Sequence, residues 1–215
     1  MSLITLSDPR SPASEAYRTL RTNLSFYSVD QPIRSLVVTS PAPDEGKSTT
    51  VANLAVTIAQ SGRRTILVDC DLRRPQLHEL FGLSNEVGLT DVILQEDLPL
   101  PLQETGVENL WLLASGPKPP NPADLLGSRQ VDRLIEMLTG RADMVLIDAP
   151  PIIGVTDAVV LGAKVDGVLL VVRAGKTRRE QAERAKEMLA KAKVNIVGAT
   201  LTNAPKSSTS GGYYG

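Results

Sequence analysis

Aromatic residues are scarce in this chain: Phe, Trp and Tyr together make up 3% of its 215 residues, while 42% are hydrophobic. A core so poor in rings must be built from Val, Ile, Leu and Ala, as in sheets covered by helices on both faces. The chain has one cysteine, Cys70, which excludes an internal disulfide framework and fits a reducing compartment. Long apolar runs are also missing. No stretch approaches the roughly 20 residues of a bilayer span, and the N-terminus lacks a signal-peptide pattern, so the chain reads as soluble and cytoplasmic. Neither sign of charge is in excess: 23 basic against 24 acidic residues leave a net charge of −1, no electrostatic footprint for nucleic acid or an anionic bilayer. No break in composition divides the chain into two domains.

What the sequence does contain is organised around Leu36 to Ala59. A β-branched run, Leu36-Val37-Val38-Thr39, enters Ser40-Pro41-Ala42-Pro43-Asp44-Glu45-Gly46-Lys47-Ser48-Thr49, which opens an Ala-rich helical pattern. This is the pattern of a phosphate-binding loop. Backbone N–H groups around Gly46 and the helix N-terminus can cradle a polyphosphate, Lys47 can neutralise β/γ oxygens, and the Ser48 hydroxyl can ligate Mg²⁺. Asp44, Glu45, Gly46, Lys47, Ser48 and Thr49 are therefore the nucleotide-binding candidates. Pro41 stands where the usual G-x-x-x-x-G-K-S/T pattern has its first glycine. The alternative, a plain strand-turn-helix connection with a solvated Lys47, does not account for two later strands that end in aspartates.

Those strands are Arg64 to Asp69, which delivers Asp69-Cys70-Asp71-Leu72-Arg73-Arg74-Pro75, and Met144 to Asp148, followed by Ala149-Pro150-Pro151. Ligands of open α/β sheets bind at strand C-termini. Two aspartates two residues apart on extended backbone point to one side, so Asp69 and Asp71 are expected to face one Mg-nucleotide. A loop in which one of them merely caps the next helix explains one carboxylate more easily than both. Four apolar residues ending in Asp148 have the Walker B form, in which the carboxylate holds the Mg²⁺ shell. Cys70, between two aspartates, reads as a small half-buried residue.

Along the rest of the chain, residues 1–13 read as a flexible lead and 14–203 as one domain. A helix begins after Ser14 as its cap. At about 100° per residue, Tyr17, Leu20, Leu24 and Tyr27 share one face, while Glu15, Arg18 and Arg21 form a polar stripe turned away from it. Short helical pieces follow over residues 76–98, then a strand at Leu110–Leu113. Residues 115–122, with four prolines in the last six positions, read as an irregular exposed loop. Further strands are expected at Gly167–Val172 and Ile196–Leu201, with a helix between them opened by a capping box at Thr177 to Glu180. Asn203 then falls at the ligand edge, and the Ser/Gly/Lys-rich segment 204–215 reads as a mobile tail ending in Tyr213 and Tyr214. About six strands alternating with helices imply a three-layer α-β-α domain with a mainly parallel sheet, the P-loop NTPase fold.

Glu15-x-x-Arg18-x-x-Arg21 within E-A-Y-R-T-L-R-T-N, P-x-E-G-K-S-T, V-D-C-D-L-R-R-P, S-G-P-x-P-P-N-P and I-D-A-P-P together resemble the bacterial protein-tyrosine kinases. These are the P-loop autokinases of capsular and exopolysaccharide export. The likeness runs from about Ser14 to the terminal tyrosines. It implies an ATP·Mg²⁺ site built from Lys47, Ser48 and Thr49, the Walker A′ pair Asp69 and Asp71, and the Walker B Asp148. It implies that the stripe Glu15, Arg18 and Arg21 assembles subunits into a ring, and that tyrosines of one subunit's tail, Tyr213 and Tyr214, are phosphorylated at its neighbour's site. Asn203 matches where related P-loop proteins contact adenine. A transmembrane chain-length-determinant or adaptor protein, separate or fused, is the implied partner, which would hold the kinase at the inner face of the membrane. Other protein tyrosines are the implied substrates. Two departures stand out: Asp44 replaces a loop glycine, placing a carboxylate near the phosphates, and the tail has only two tyrosines.

For transfer to tyrosine, whose hydroxyl has a pKa near 10, a carboxylate that accepts the proton helps. Asp69 is the candidate base, with Ser48, Asp71 and Asp148 in the metal shell. The rival reading is a partition or division-site switch ATPase on the same scaffold. Those proteins carry a second lysine five residues before the P-loop lysine, and here that position is Ala42.

Overall fold

The computed structural model describes residues 3–27, 32–95 and 98–204. Tyr213 and Tyr214 lie outside the described residues. Among these residues a seven-stranded sheet has the order β3-β4-β2-β5-β1-β6-β7, parallel except for β3 against β4. The strands are β1 (Ser35–Thr39), β2 (Thr65–Asp69), β3 (Gln103–Glu104), β4 (Leu110–Leu113), β5 (Met144–Asp148), β6 (Gly167–Arg173) and β7 (Ile196–Thr202). Six fall where the apolar runs place them. The seventh, β3, has two residues and no alternation to read.

Successive strand residues point to opposite faces, and here both faces are buried. Val37, Ile66, Val68, Val145, Ile147, Val168 and Leu170 join one core cluster. Leu36, Val38, Leu67, Leu146, Leu169 and Val171 join the other. The first cluster is closed by α5 (Leu89–Leu94), α6 (Pro122–Gly127), α7 (Arg129–Arg141), α8 (Asp157–Gly162) and α9 (Arg179–Lys191). The second is closed by α3 (Lys47–Ala59), with α2 (Pro12–Phe26), α4 (Leu77–Phe81) and α1 (Ile4–Ser7) around it. The chain is thus a three-layer α-β-α sandwich. Helix α3 is buried almost all round, which explains why its run Val51-Ala52-Asn53-Leu54-Ala55 carries small and apolar side chains instead of a polar stripe.

The N-terminal lead differs from its expectation. Over residues 3–13 it is not a loose segment: α1 packs on α3 and α2, with Leu3 and Thr5 buried. Thr5 donates through both its N–H (3.1 Å) and its hydroxyl (2.8 Å) to Asn53 Oδ1. Asn53 is a polar side chain inside a buried helix and needs such a partner. The cap of α2 is also shifted. Ser11, not Ser14, accepts from the Ser14 N–H, and Pro12 takes the first helical position, where no N–H is required. Ser14 is buried, and its hydroxyl donates to Asp8 O at 2.7 Å. The proline-rich loop is irregular as far as Asn121; Pro122 then opens α6 for the same reason that Pro12 opens α2.

Candidate functional site

Because β1, β2 and β5 are adjacent and parallel, the segments leaving them emerge side by side at one edge of the sheet. The loop after β1 runs to Gly46, whose φ of +89° puts it in the left-handed region before Lys47 starts α3. A side chain there is strained whatever the space. Asp44 is left-handed too, at φ +59°, in the position where the resembling family has glycine. Asp and Asn tolerate this region better than most residues, at a cost of about 1 kcal/mol.

Lys47 is the hub of the site. Its Nζ lies 2.7 Å from Asp71 Oδ2, 3.3 Å from both oxygens of Asp148 and 3.1 Å from Ser48 Oγ, with the side chain 11% exposed. Burial pulls its pKa down, but Asp148 and Asp71 outweigh that and raise it above the ordinary lysine value. Asp148 is fully buried and raised by that burial, against the opposing charge of Lys47 and a hydrogen bond from Ser48. The expected meeting of Lys47, Ser48, Asp71 and Asp148 is present.

Asp69 behaves differently from Asp71. One of its oxygens accepts the Asp71 N–H at 3.1 Å, and the other accepts Gln76 N–H (3.1 Å) and Leu77 N–H (3.0 Å). It therefore holds the turn into α4, while Asp71 is the one that reaches Lys47. Burial and the neighbouring Asp148 push the Asp69 carboxyl up to about 8. The alternative in which one aspartate serves the next helix describes Asp69.

The other loop residues divide as follows. Thr49 is exposed, and its carbonyl accepts Asn53 Nδ2. The Asp44 side chain is 77% exposed, with Lys176 Nζ 3.8 Å from its Oδ2. The Glu45 side chain is buried and receives the Thr177 hydroxyl at 2.5 Å. Thr177 is thereby diverted from the expected capping box; Gln181 Oε1 accepts the Arg178 N–H instead. Asn203, exposed and at φ +53°, follows Thr202, whose hydroxyl donates to Glu45 O at 2.7 Å, so it stands beside the loop as expected.

On α2 the polar stripe is only partly free. Glu15 pairs with Arg18, which also donates to Pro9 O, and Arg21 Nη1 donates to Thr57 O of α3 at 2.9 Å. One pair was invisible to sequence reasoning: Arg73 grips the fully buried Asp157 through Nε (2.8 Å) and Nη2 (3.1 Å), tying the segment after β2 to the start of α8. Asp157 in a first helical turn reads as a dipole residue, and nothing in the sequence pairs it with Arg73.

Ser48, Asp71 and Asp148 offer oxygen donors only, gathered about an ammonium group, and that chemistry fits a hard divalent cation. No group of three or more His, Cys, Asp or Glu among the described residues forms a closed cage. A Mg²⁺ that takes most of its ligands from water and phosphate needs none.

A phosphate-binding loop between β1 and α3, flanked by the ends of β2 and β5, defines a P-loop NTPase, a class that binds nucleotide with a divalent metal. The ParA family described as "NUBPL iron-transfer P-loop NTPase" matches residues 33–204. The chain is 46% identical to the tyrosine-protein kinase YwqD of Bacillus subtilis over 216 residues, covering 100% of this chain and 91% of that one. It is 35% identical to the tyrosine-protein kinase etk of Escherichia coli over 96% of its own length but 28% of that protein's. The solved kinase domain of the E. coli enzyme superposes with a TM-score of 0.91 over 99% of this chain and 84% of that one, at 34% identity. The septum site-determining protein MinD of Pyrococcus horikoshii is more remote, with a TM-score of 0.68 and 26% identity over 81% of this chain and 72% of that one. The chain belongs to the bacterial protein-tyrosine kinases of the ParA-type P-loop fold.

Proposed function

We propose that this domain transfers the γ-phosphoryl group of Mg·ATP to tyrosine, with Tyr213 and Tyr214 of a neighbouring subunit as its own substrates, and that it thereby regulates exopolysaccharide or capsule synthesis and export. The observation that carries this is the convergence of Lys47, Ser48, Asp71 and Asp148 at the end of a glycine-hinged loop.

Phosphoryl transfer asks a protein chiefly for position and charge neutralisation. Lys47 supplies a cation to the β/γ oxygens, and the backbone N–H groups of residues 44–49 cradle them. Ser48 and Asp148 would hold Mg²⁺, which when bound would screen the charge of the transferred group. Of the two Walker A′ carboxylates, Asp71 is the better acceptor of the tyrosine proton. Its Oδ2 is engaged only by a side chain, Lys47, although its Oδ1 accepts the Arg74 N–H at 3.0 Å, whereas both oxygens of Asp69 are engaged by backbone. Asp69 then positions the loop. Asn203 is proposed to contact the adenine, a reading supported by its place next to Thr202, whose hydroxyl holds the loop at Glu45 O.

The stripe on α2 is proposed to join subunits in a ring. The partner is proposed to be a transmembrane adaptor, on the ground that the E. coli relative is more than three times the length matched and that no helix described in this chain is long and apolar enough to cross a membrane.

The test mixes a Lys47→Ala subunit having an intact tail with an active subunit carrying Tyr213→Phe and Tyr214→Phe, in Mg·ATP, followed by intact mass and peptide mapping. Phosphate on the tail of the Lys47→Ala subunit is the expected outcome. Tails that stay unmodified while the unmutated protein hydrolyses ATP would favour the switch ATPase. Lys47→Ala alone should abolish transfer. It should also lower the thermal midpoint, because Asp71 and Asp148 lose their shared cation, and added Mg²⁺ should restore the loss.

A further inference from the structure

The P-loop is held from behind. Arg173 Nη1 donates to Asp44 O (2.9 Å), Lys176 Nζ donates to Pro43 O (3.2 Å), and Thr202 Oγ1 donates to Glu45 O (2.7 Å). Three successive carbonyls are thus fixed toward the β6–α9 loop and the end of β7. In a trans peptide the C=O and the N–H of the following residue point in opposite directions. Fixing the carbonyls of Pro43, Asp44 and Glu45 therefore turns the N–H groups of Asp44, Glu45 and Gly46 away from the β6–α9 loop and the end of β7.

We infer that Arg173, Lys176, Thr177 and Thr202 are positioning residues that aim the loop's N–H groups at the nucleotide phosphates, an inference that rests on the nucleotide reading above. Thr177 is the keystone. Its hydroxyl oxygen accepts the Arg173 N–H (2.9 Å) while its proton goes to Glu45 Oε1 (2.5 Å). The other carboxylate oxygen, Glu45 Oε2, is buried and has no partner among the described residues, so the Thr177 contact is what keeps this side chain turned back from the phosphates. The turn bearing these groups is itself braced by Ala174 N–H to Thr202 O (2.9 Å) and Thr177 N–H to Arg173 O (3.0 Å). The clamp also answers the departure at Asp44. A left-handed aspartate in place of glycine costs conformational energy and brings a negative charge, and Arg173 and Lys176 fix the first while Lys176 offsets the second.

The experiment measures the dissociation constant of Mg·ADP by calorimetry and the KM and kcat of tail phosphorylation, for the unmutated protein, Thr177→Val, Thr177→Ser and Arg173→Gln. Thr177→Val and Arg173→Gln are expected to raise both the dissociation constant and KM by about tenfold, with a much smaller fall in kcat. Thr177→Ser, which keeps the hydroxyl, should restore unmutated affinity. Thr202→Val asks the same question should Thr177→Val fail to fold. Unchanged affinity in the folded variants would overturn the clamp. So would an effect confined to Arg173→Gln that grows as salt is lowered, since that would mean the cation acts on phosphate charge directly. Failure of the unmutated protein itself to bind Mg·ADP would instead remove the nucleotide reading, and the clamp with it.

Discussion

Cys70 is 3% exposed and stands between Asp69 and Asp71. Burial and the negative neighbours Asp69, Asp148 and Asp71 hold its thiol well above the usual cysteine range. A thiol reagent at pH 8 is therefore expected to leave the folded protein unmodified and to label Cys70 fully in denaturant. Labelling of the native protein at the rate of a free thiol would contradict the assigned burial. Arg73 makes the complementary case, a surface residue that matters. Its fork is the partner of a carboxylate with no solvent contact, Asp157. Arg73→Ala should cost about 2 kcal/mol in urea unfolding, less than the roughly 3–5 kcal/mol of a fully buried broken pair because Arg73 itself is partly open to water. Arg73→Lys should recover only part of this, since an ammonium cannot reproduce the two-pronged contact.

Among the elements, α1 offers the sharpest test. It is one turn long and is held by Asn53, which also donates to Thr49 O and so touches the start of α3. Asn53→Ala removes three hydrogen bonds and leaves the buried Thr5 hydroxyl without its acceptor. A loss of about 2 kcal/mol in chemical denaturation is expected, together with faster amide exchange at Thr5. The same element shows where sequence reading stops. Strands that lead into Lys47's loop, to Asp69 with Asp71 just beyond, and to Asp148 announce themselves because apolar runs, glycine and carboxylates each leave a local signal. Helix α1, the turning of Glu45 toward Thr177 and the Arg73–Asp157 pair leave none, since each depends on a partner distant in the chain; the Ser11 cap is local, and Pro12 at the first helical position is the signal that marks it. Asp69 shows the limit within one motif: spacing places both aspartates at the strand end, but only the course of the following turn decides which carboxylate the backbone consumes.

At the scale of the whole molecule, α2 lies outside α3 and presents Glu15, with 63% of its side chain exposed, and Arg18 to the surroundings, while Arg21 is committed to Thr57 O. Replacing Glu15 and Arg18 by Ala, with Arg21 retained so that α2 stays docked, should reduce the mass seen by multi-angle light scattering at unchanged circular dichroism. An unaltered mass would make the stripe an ordinary solvated face. The flank of the sheet bears on self-association in a different way. Strand β7 forms one flank of the sheet, and Leu201 is exposed on it. Its register against β6 slips between Val168 and Leu169, so that Ile196 and Gly198 oppose consecutive residues and Val197 is supernumerary. Such an insertion bends a strand and breaks the even spacing of its outward N–H and C=O groups. The insertion disturbs only the entrance of the flank, since Gly198 to Thr202 pair in unbroken register with Leu169 to Arg173; beyond it lies a five-residue regular edge with Leu201 exposed, a template on which another strand can add.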